Sequence, residues 1–261
     1  NRSAPATIPA IGIQLYTLRR ECADDFEGAL QAVSDMGYEA VETAGFHGRT
    51  AEWLRDRLDR LGLACCALHC GREDLERRLD RMAADARTLG AEALVLAYDN
   101  PKSREDFVSL GRFLEDTGRR LLEQGLALCY HNHANEFVPF DDGPGLDLMY
   151  RTADPAFLQA ELDTFWISRA GYDPVAYVAR YAGRLPILHC KDQDRKDPGC
   201  SAPVGEGSLD FAAMIRLACQ GGTRWLVMED DESEFPPLES ARLSFLALQR
   251  LRKAHCPGAP G

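Results

Sequence analysis

Histidine and carboxylate side chains recur at the ends of short apolar runs in this chain. Four of its six histidines lie there, and aspartate or glutamate ends other runs, as in ELDTFW and VMEDDE. Burying so many ionisable groups together is unfavourable unless an opposite charge compensates, and one divalent cation is the simplest compensation. Imidazole and carboxylate ligands without thiolate suit Mn²⁺, Mg²⁺, Co²⁺ or Zn²⁺. The residues concerned are Glu42, His69, His131, His133, Glu136, Asp163, His189 and Glu229.

These side chains need a scaffold that brings strand ends together. Apolar runs at residues 11–15, 40–43, 64–69, 93–97, 127–131, 159–163, 187–189 and 225–229 predict eight strands. Eight strand–helix units in about 250 residues predict an α/β protein with a single (β/α)8 TIM barrel. A doubly wound open sheet is the alternative, but it favours a GxGxxG turn after the first strand, where this chain reads IGIQLYTLRR.

Longer amphipathic segments alternate with the strands. They predict helices at residues 25–36, 50–61, 72–89, 103–124, 145–152, 174–181, 209–220 and 237–254. Thr50 is a candidate N-cap, and Gly62 and Gly90 follow two of the helices as glycines commonly do. No linker divides the chain, so we expect one domain over residues 1–261, with flexible ends at residues 1–9 and 255–261.

Strand alternation indicates which ionisable groups share a face. In ALCYHNH, His131 and His133 lie on one face; in ELD, Glu161 and Asp163 do, but only Asp163 is expected at the mouth. Because the C-terminal strand ends of a TIM barrel carry its chemistry, the metal is expected at this mouth.

Composition limits the partners. The formal charge is −11, with 41 acidic and 30 basic residues, which disfavours nucleic-acid binding and leaves a small-molecule substrate. The chain contains no run of 18 apolar residues, so the sequence predicts no membrane span. Nine cysteines without a CxxC pair indicate free thiols and hence a cytoplasmic location, although a signal peptide removed before Asn1 would leave the same sequence. A homo-oligomer is compatible with the sequence.

Five strings, QLYTLR, YHNHANEF, ELDTFW, LHCKD and VGEGSLDF, together resemble the sugar-isomerase/epimerase superfamily of xylose-isomerase-like barrels. They are most similar to bacterial proteins described as sugar phosphate isomerase/epimerase. The resemblance implies a metal at the ends of strands five to eight, usually held by Glu, Asp, His and Glu. Asp163, His189 and Glu229 match this pattern. The fifth strand departs from it, and we expect Glu136, reaching back from beyond the strand, as the fourth ligand in preference to His131.

The implied chemistry is isomerisation or epimerisation by proton transfer next to a carbonyl. A divalent metal would act as a Lewis acid and hold the charge of the enediolate. Glu229 is the expected base on one face of the substrate, with His133 or Glu136 on the other. Further side chains are candidates for binding the substrate, namely Gln14, Tyr16, Glu42, His69, Trp166, Lys191 and Glu206.

Three other functions compete with this interpretation. A lyase or dehydratase on the same metal site would eliminate a group from a keto-sugar, a keto-glycoside or a keto-inositol. An apurinic endonuclease would need a multi-metal cluster and a basic DNA face, which the sequence lacks. A non-catalytic sugar-binding barrel is the third.

Overall fold

A closed barrel of eight parallel strands forms the centre of the molecule in a computed structural model that describes residues 8–256 and 258. Each strand pairs with its neighbours in sequence, and the last strand closes on the first through Trp225 and Ala10. The predicted (β/α)8 barrel is therefore confirmed over the open sheet. The strands are β1 (Ala10–Gln14), β2 (Ala40–Thr43), β3 (Ala64–Cys70), β4 (Ala93–Leu96), β5 (Ala127–His131), β6 (Gln159–Asp163), β7 (Ile187–Cys190) and β8 (Trp225–Met228).

Helices surround the barrel between the strands. The described part of the chain contains α1 (Arg19–Asp24), α2 (Phe26–Met36), α3 (Ala51–Leu61), α4 (Arg72–Arg77), α5 (Leu79–Leu89), α6 (Arg104–Leu122), α7 (Gly145–Thr152), α8 (Thr164–Arg169), α9 (Pro174–Arg180), α10 (Phe211–Gly221) and α11 (Pro237–His255). Short 3₁₀ turns at Leu15–Leu18 and Asn135–Phe137 follow β1 and β5.

The helix predictions hold in outline and fail at specific points. The Thr50 side chain accepts from the Trp53 backbone N–H at 3.2 Å, as expected of an N-cap. Gly62 and Gly90 end α3 and α5 with φ of 68° and 69°, the left-handed region that favours glycine. The prediction of one helix over residues 72–89 is wrong, because Arg78 has φ of −131° and separates α4 from α5. Helices α1 and α8 were not predicted.

The inside of the barrel has an apolar lower half. Small and β-branched side chains from the strands form a cluster separate from the larger core between strands and helices. Ala40, Ala67, Cys129, Ile187 and Val227 belong to it. Because side chains alternate along a strand, the residue two positions later on each of these strands also points inward, but nearer the C-terminal mouth.

A β-bulge sets the alternation of β3. Val41 pairs with Cys65 and Glu42 with Ala67, so Cys66 is an extra residue in β3. Cys66 and Ala67 both belong to the inner cluster, whereas Cys65 and Leu68 belong to the outer core. The extra residue therefore shifts the phase of the strand and turns the later His69 inward.

The expectation of free thiols throughout is wrong for one pair. Cys219 on α10 and Cys256 after α11 form a disulfide with their Cα atoms 5.8 Å apart. The other seven cysteines are free, and all but the half-buried Cys200 are buried.

The ends of the chain are described only in part. Most of the ends predicted to be flexible, residues 1–7, 257 and 259–261, lie outside the described residues, while His255 belongs to α11. Across the described helices, none has the length and apolar character needed to cross a bilayer.

Candidate active site

The inner cluster gives way to ionisable residues toward the mouth of the barrel. Glu42, His69, His131 and His189 each follow an apolar inward residue by two positions, and all but the half-buried His69 are buried. Glu161 on β6 joins them and is also fully buried. The upper half of the barrel interior is thus lined by three imidazoles and two carboxylates.

Close contacts connect these five groups. Nδ1 of His131 lies 2.9 Å from Oε1 of Glu161, and Nε2 of His69 lies 2.7 Å from the same oxygen. Nε2 of His189 lies 2.6 Å from Oε2 of Glu42. Burial, together with the charge of Glu42, raises the pKa of Glu161, and its Oε2 atom has no hydrogen-bond partner among the described residues.

A second group lies just above, at the strand ends. His131, Asp163, His189 and Glu229 each place a ligand atom within 4.8 Å of the others, and all four are buried. Nδ1 of His189 is 2.9 Å from Oε2 of Glu229. The structure therefore brings together the predicted Asp163, His189 and Glu229, and the fourth member is His131.

Asp163 uses one oxygen for structure and leaves the other free. Its Oδ1 atom accepts from the backbone N–H of Trp166 at 2.9 Å and so caps α8, which begins at the next residue. Asn132, the residue after β5, also holds Asp163 in place, because its side-chain oxygen accepts from the backbone N–H of Asp163 at 3.0 Å. Oδ2 has no hydrogen-bond partner among the described residues. Burial raises the pKa of Asp163 to about 7, against the opposing effect of the charge of Lys191.

Glu136 does not join this group. Its carboxylate accepts from the hydroxyl of Tyr130 at 2.8 Å and from the backbone N–H of His133 at 2.7 Å. Burial raises the pKa of Glu136 to about 7, against the effect of these two hydrogen bonds. The preference for Glu136 over His131 as fourth ligand does not agree with this placement, because the 3₁₀ turn directs the carboxylate toward Tyr130 in the outer core.

A cavity of about 700 Å³ opens above the two groups and is lined by Glu229, His133 and His69 among others. The His133 ring packs 5.2 Å from the ring of Trp166, and its Nδ1 atom has no partner among the described residues. Burial lowers the pKa of His133 to about 4, which favours the neutral imidazole. Glu229 and His133 are therefore two proton-accepting groups on the wall of one cavity.

Lys191 does not offer a free ammonium to the cavity. Its buried Nζ atom forms an ion pair with Asp231 and lies 4.0 Å from Oε1 of Glu229. It also lies over the rings of Phe165 and Trp166, at 5.0 and 4.7 Å from their centroids. The charge and the hydrogen-bonding capacity of Lys191 are thus directed to the protein itself.

The remaining predicted substrate ligands have different positions. Gln14 lines the cavity and donates from Nε2 to Oε2 of Glu42 at 2.9 Å. Tyr16 also lines the cavity and is 46% exposed. Glu42 lies in the buried layer below. Glu206 is exposed in the loop before α10, and the structure does not place it with the other site residues.

Some residues of this site were not predicted from the sequence. Glu161 was recognised as sharing a face with Asp163 but was not expected to contact three imidazoles, and the same alternation could have indicated it. Asp74, Tyr98 and Asp231 line the cavity without having been predicted. For Asp74 and Tyr98 no strand pattern gave a signal, because both lie on segments after the strands.

Comparisons with known proteins show the family to which the barrel belongs. The profile of the family described as xylose isomerase-like TIM barrel matches residues 30–251. The rhizopine catabolism protein MocC of Rhizobium meliloti is 26% identical, over 87% of this chain and 82% of its own length. Inosose dehydratase of Geobacillus kaustophilus is 23% identical, over 78% of this chain and 79% of its own.

Solved structures show the same fold. A sugar phosphate isomerase/epimerase from Parabacteroides distasonis superimposes with a TM-score of 0.79 at 20% identity, covering 91% of this chain and 96% of that protein. An L-ribulose 3-epimerase gives 0.71 at 18% identity, covering 97% and 100%. Since the family profile spans most of the barrel, the chain belongs to the xylose isomerase-like TIM barrel family.

Proposed function

We propose that this protein is a divalent-metal-dependent isomerase or epimerase that moves a proton next to the carbonyl of a small sugar-like substrate. One observation carries the proposal. Four buried ligand groups, from His131, Asp163, His189 and Glu229, converge at the wall of a cavity, and one Asp163 oxygen there has no partner among the described residues.

The donor set fits a divalent cation. Two imidazoles and two carboxylates suit a first-row transition ion, and a positive charge would compensate the burial of Asp163 and Glu229. Such an ion supplies Lewis acidity to the substrate carbonyl when it is bound. Among the predicted ligands, Asp163, His189, Glu229 and His131 would hold it, and Glu136 would not.

The chain's own residues provide the proton transfers. Glu229 would take the proton from the carbon next to the carbonyl, because it lines the cavity and Lys191 keeps it ionised. Burial alone would raise the pKa of Glu229, but the hydrogen bond from His189 and the charge of Lys191 lower it. His133, neutral and beside Trp166, would exchange the proton on the second face. A base on each face gives epimerisation, and one shuttling base gives aldose–ketose isomerisation.

The charge of the cavity favours an unphosphorylated substrate. Asp74, Glu229 and Asp231 line it, and Lys191 is already paired with Asp231. A phosphate would meet like charges there, whereas hydroxyl groups can donate to the carboxylates. We therefore assign a neutral polyhydroxy aldehyde or ketone as the substrate class.

Hydrogen exchange tests the proposal. The full chain, loaded with Mn²⁺, Co²⁺ or Zn²⁺, is incubated in D₂O with a panel of neutral ketoses, aldoses and keto-inositols, and the products are analysed by NMR. Deuterium at the carbon next to the carbonyl, without loss of a carbon–oxygen bond, is the expected result. Glu229→Gln should abolish the exchange, while Glu105→Gln on the exposed face of α6 should retain it. Metal-loaded protein that exchanges no substrate would support a sugar-binding barrel instead.

A dehydratase is the second candidate. The similarity to inosose dehydratase favours it, since a dehydratase can also begin by removing a proton next to a carbonyl. The same NMR experiment separates the two, because loss of water from a keto-inositol would produce an unsaturated product that an epimerase does not form.

A further inference from the structure

A layer of carboxylates lies behind both imidazoles of the proposed metal group. Oε1 of Glu161 is 2.9 Å from Nδ1 of His131, and Oε2 of Glu42 is 2.6 Å from Nε2 of His189. Both carboxylates are fully buried. Gln14 donates to the same Glu42 oxygen at 2.9 Å, so this side chain holds Glu42 in place.

The proton count of a neutral imidazole then determines which nitrogen is free. Each ring has one N–H and one lone pair, and an ionised carboxylate can only accept. In a ring that binds an ion, the N–H must therefore lie on Nδ1 of His131 and on Nε2 of His189. The ion would then be held by Nε2 of His131 and Nδ1 of His189, where it would replace the proton of the 2.9 Å hydrogen bond between Nδ1 of His189 and Glu229.

We infer that Glu161 and Glu42 are positioning residues that fix the tautomers of His131 and His189 and so create a site of two imidazoles and two carboxylates, which selects zinc- or cobalt-like ions over magnesium. The inference rests on the proposed function and goes further by assigning a role to two carboxylates that bind neither the ion nor the substrate. Imidazole favours ions such as zinc, whereas magnesium prefers oxygen ligands throughout.

Another arrangement must be distinguished. His69, His131, His189 and Glu161 also place ligand atoms within 4.8 Å of one another, one layer deeper. Both groups use His131 and His189, and a neutral imidazole has a single lone pair, so one ion at a time can be held. The upper group is favoured because it offers the ion two carboxylates, from Asp163 and Glu229, whereas the deeper group offers one. In the deeper group, Oε1 of Glu161 already lies within hydrogen-bonding distance of both His69 and His131.

X-ray absorption at the zinc edge counts the imidazoles directly. For the zinc-loaded full chain, the upper group predicts two imidazoles in the first coordination sphere, together with oxygen ligands. Three imidazoles would place the ion in the deeper group and overturn the inference. One imidazole would remove either His131 or His189 from the ligand set and would also overturn it.

Affinity measurements test the positioning role. In competition with a chromophoric chelator, Glu161→Leu should weaken zinc binding by about 100-fold and Glu161→Gln by about 10-fold, the range seen for partners of metal-bound histidines. Gln retains a carbonyl oxygen that can accept from His131 and keeps the size of the side chain, so it remains informative if the leucine variant does not fold. Asp147→Asn removes a buried carboxylate from α7 and should leave the affinity unchanged. Zinc affinity that is unaltered in both Glu161 variants would contradict the inference.

A ligand exchange tests the selectivity. His131→Glu combined with Glu161→Gln replaces one imidazole by a carboxylate without placing two carboxylates against each other. The ratio of manganese to zinc affinity should rise at least about 10-fold relative to the unaltered chain. An unchanged ratio would contradict the assigned ligand set. Protein that takes up no ion in any form contradicts the proposed function, whereas protein that binds zinc through two imidazoles but is indifferent to Glu161 contradicts only this inference.

Discussion

The two halves of the barrel interior are built from the same strands and differ completely in chemistry. In the lower half, Ala40, Cys129, Ile187 and Val227 form an apolar cluster. Two positions later on the same strands, the side chains are those of Glu42, His131, His189 and Glu229. His189 contacts Glu42 and Glu229, and His131 contacts Glu161, all through close N···O pairs.

Residues only two positions apart on the same strand therefore have different roles, one in stability and the other in chemistry. Apolar packing below needs no partner and stabilises the barrel by removing surface from water. The carboxylates above are costly to bury and leave oxygens of Glu42, Glu161 and Asp163 without hydrogen-bond partners among the described residues. The lower half should therefore determine folding, and the upper half should determine what is bound.

The largest effect is expected in the upper half. Asp163→Ala or His189→Ala removes one ligand of the proposed ion and should release it, as measured by ICP-MS on protein purified without a chelator. Circular dichroism should show that the barrel persists, because the apolar half is unchanged. A full equivalent of metal in both variants would remove these residues from the ligand set.

A substitution in the lower half should have a smaller effect, lowering the stability of the protein while leaving the metal bound. Ile187 is buried two residues before His189. Ile187→Ala should lower the free energy of unfolding by about 2–5 kcal/mol, because it removes buried methyl groups and leaves a cavity, while metal stoichiometry is retained. Leu246→Ala on α11, where the leucine is 41% exposed, is the matched control and should change stability by about 0.5 kcal/mol or less. Loss of the metal in the Ile187 variant would show that the two halves are not separable.

Glu136 refines the comparison, since it is a buried carboxylate near the mouth but outside the metal group. Its pKa is raised by burial from 4.5 to about 7. As pH rises from 4.5 to 7, the unfolded chain loses this proton before the native protein does, so the native state loses stability. The loss approaches about 3 kcal/mol above pH 7.

Denaturation by urea at pH 5 and pH 8 measures this effect. Glu136→Gln carries no ionisable group there, so its stability relative to the unaltered chain should increase between the two pH values. Glu105→Gln, at an exposed position, should show no such change. A difference that is the same at both pH values would mean that Glu136 is ionised in the folded protein throughout.

The sequence predicted the barrel because its strands and helices have distinct periodicities, and it placed Asp163, His189 and Glu229 together because parallel strand ends meet. It did not predict the bulge at Cys66, since the run ACCALHC is apolar on both faces and has no fixed register. The shift of His69 into the interior follows from that bulge and was equally hidden from local pattern.

Two differences from the expected positions have the same cause. Glu136 was expected to reach the metal because it follows β5 closely, but its direction is set by the 3₁₀ turn Asn135–Phe137 and by Tyr130. Glu161 was expected only to lie below the mouth of the barrel. Its contacts with the imidazoles of neighbouring strands could not be predicted from its position along β6. Direction beyond a strand end and contact across a barrel both depend on tertiary structure.

The double use of Asp163 limits how this scaffold can diverge. One oxygen begins a helix and the other faces the proposed ion, so any replacement must satisfy two selective requirements at once. Asparagine could still cap α8 but would remove the negative charge, and glutamate would keep the charge but displace the cap. New activities in this family are therefore easier to reach through mutations of exposed residues around the cavity, such as Tyr16 and Tyr98.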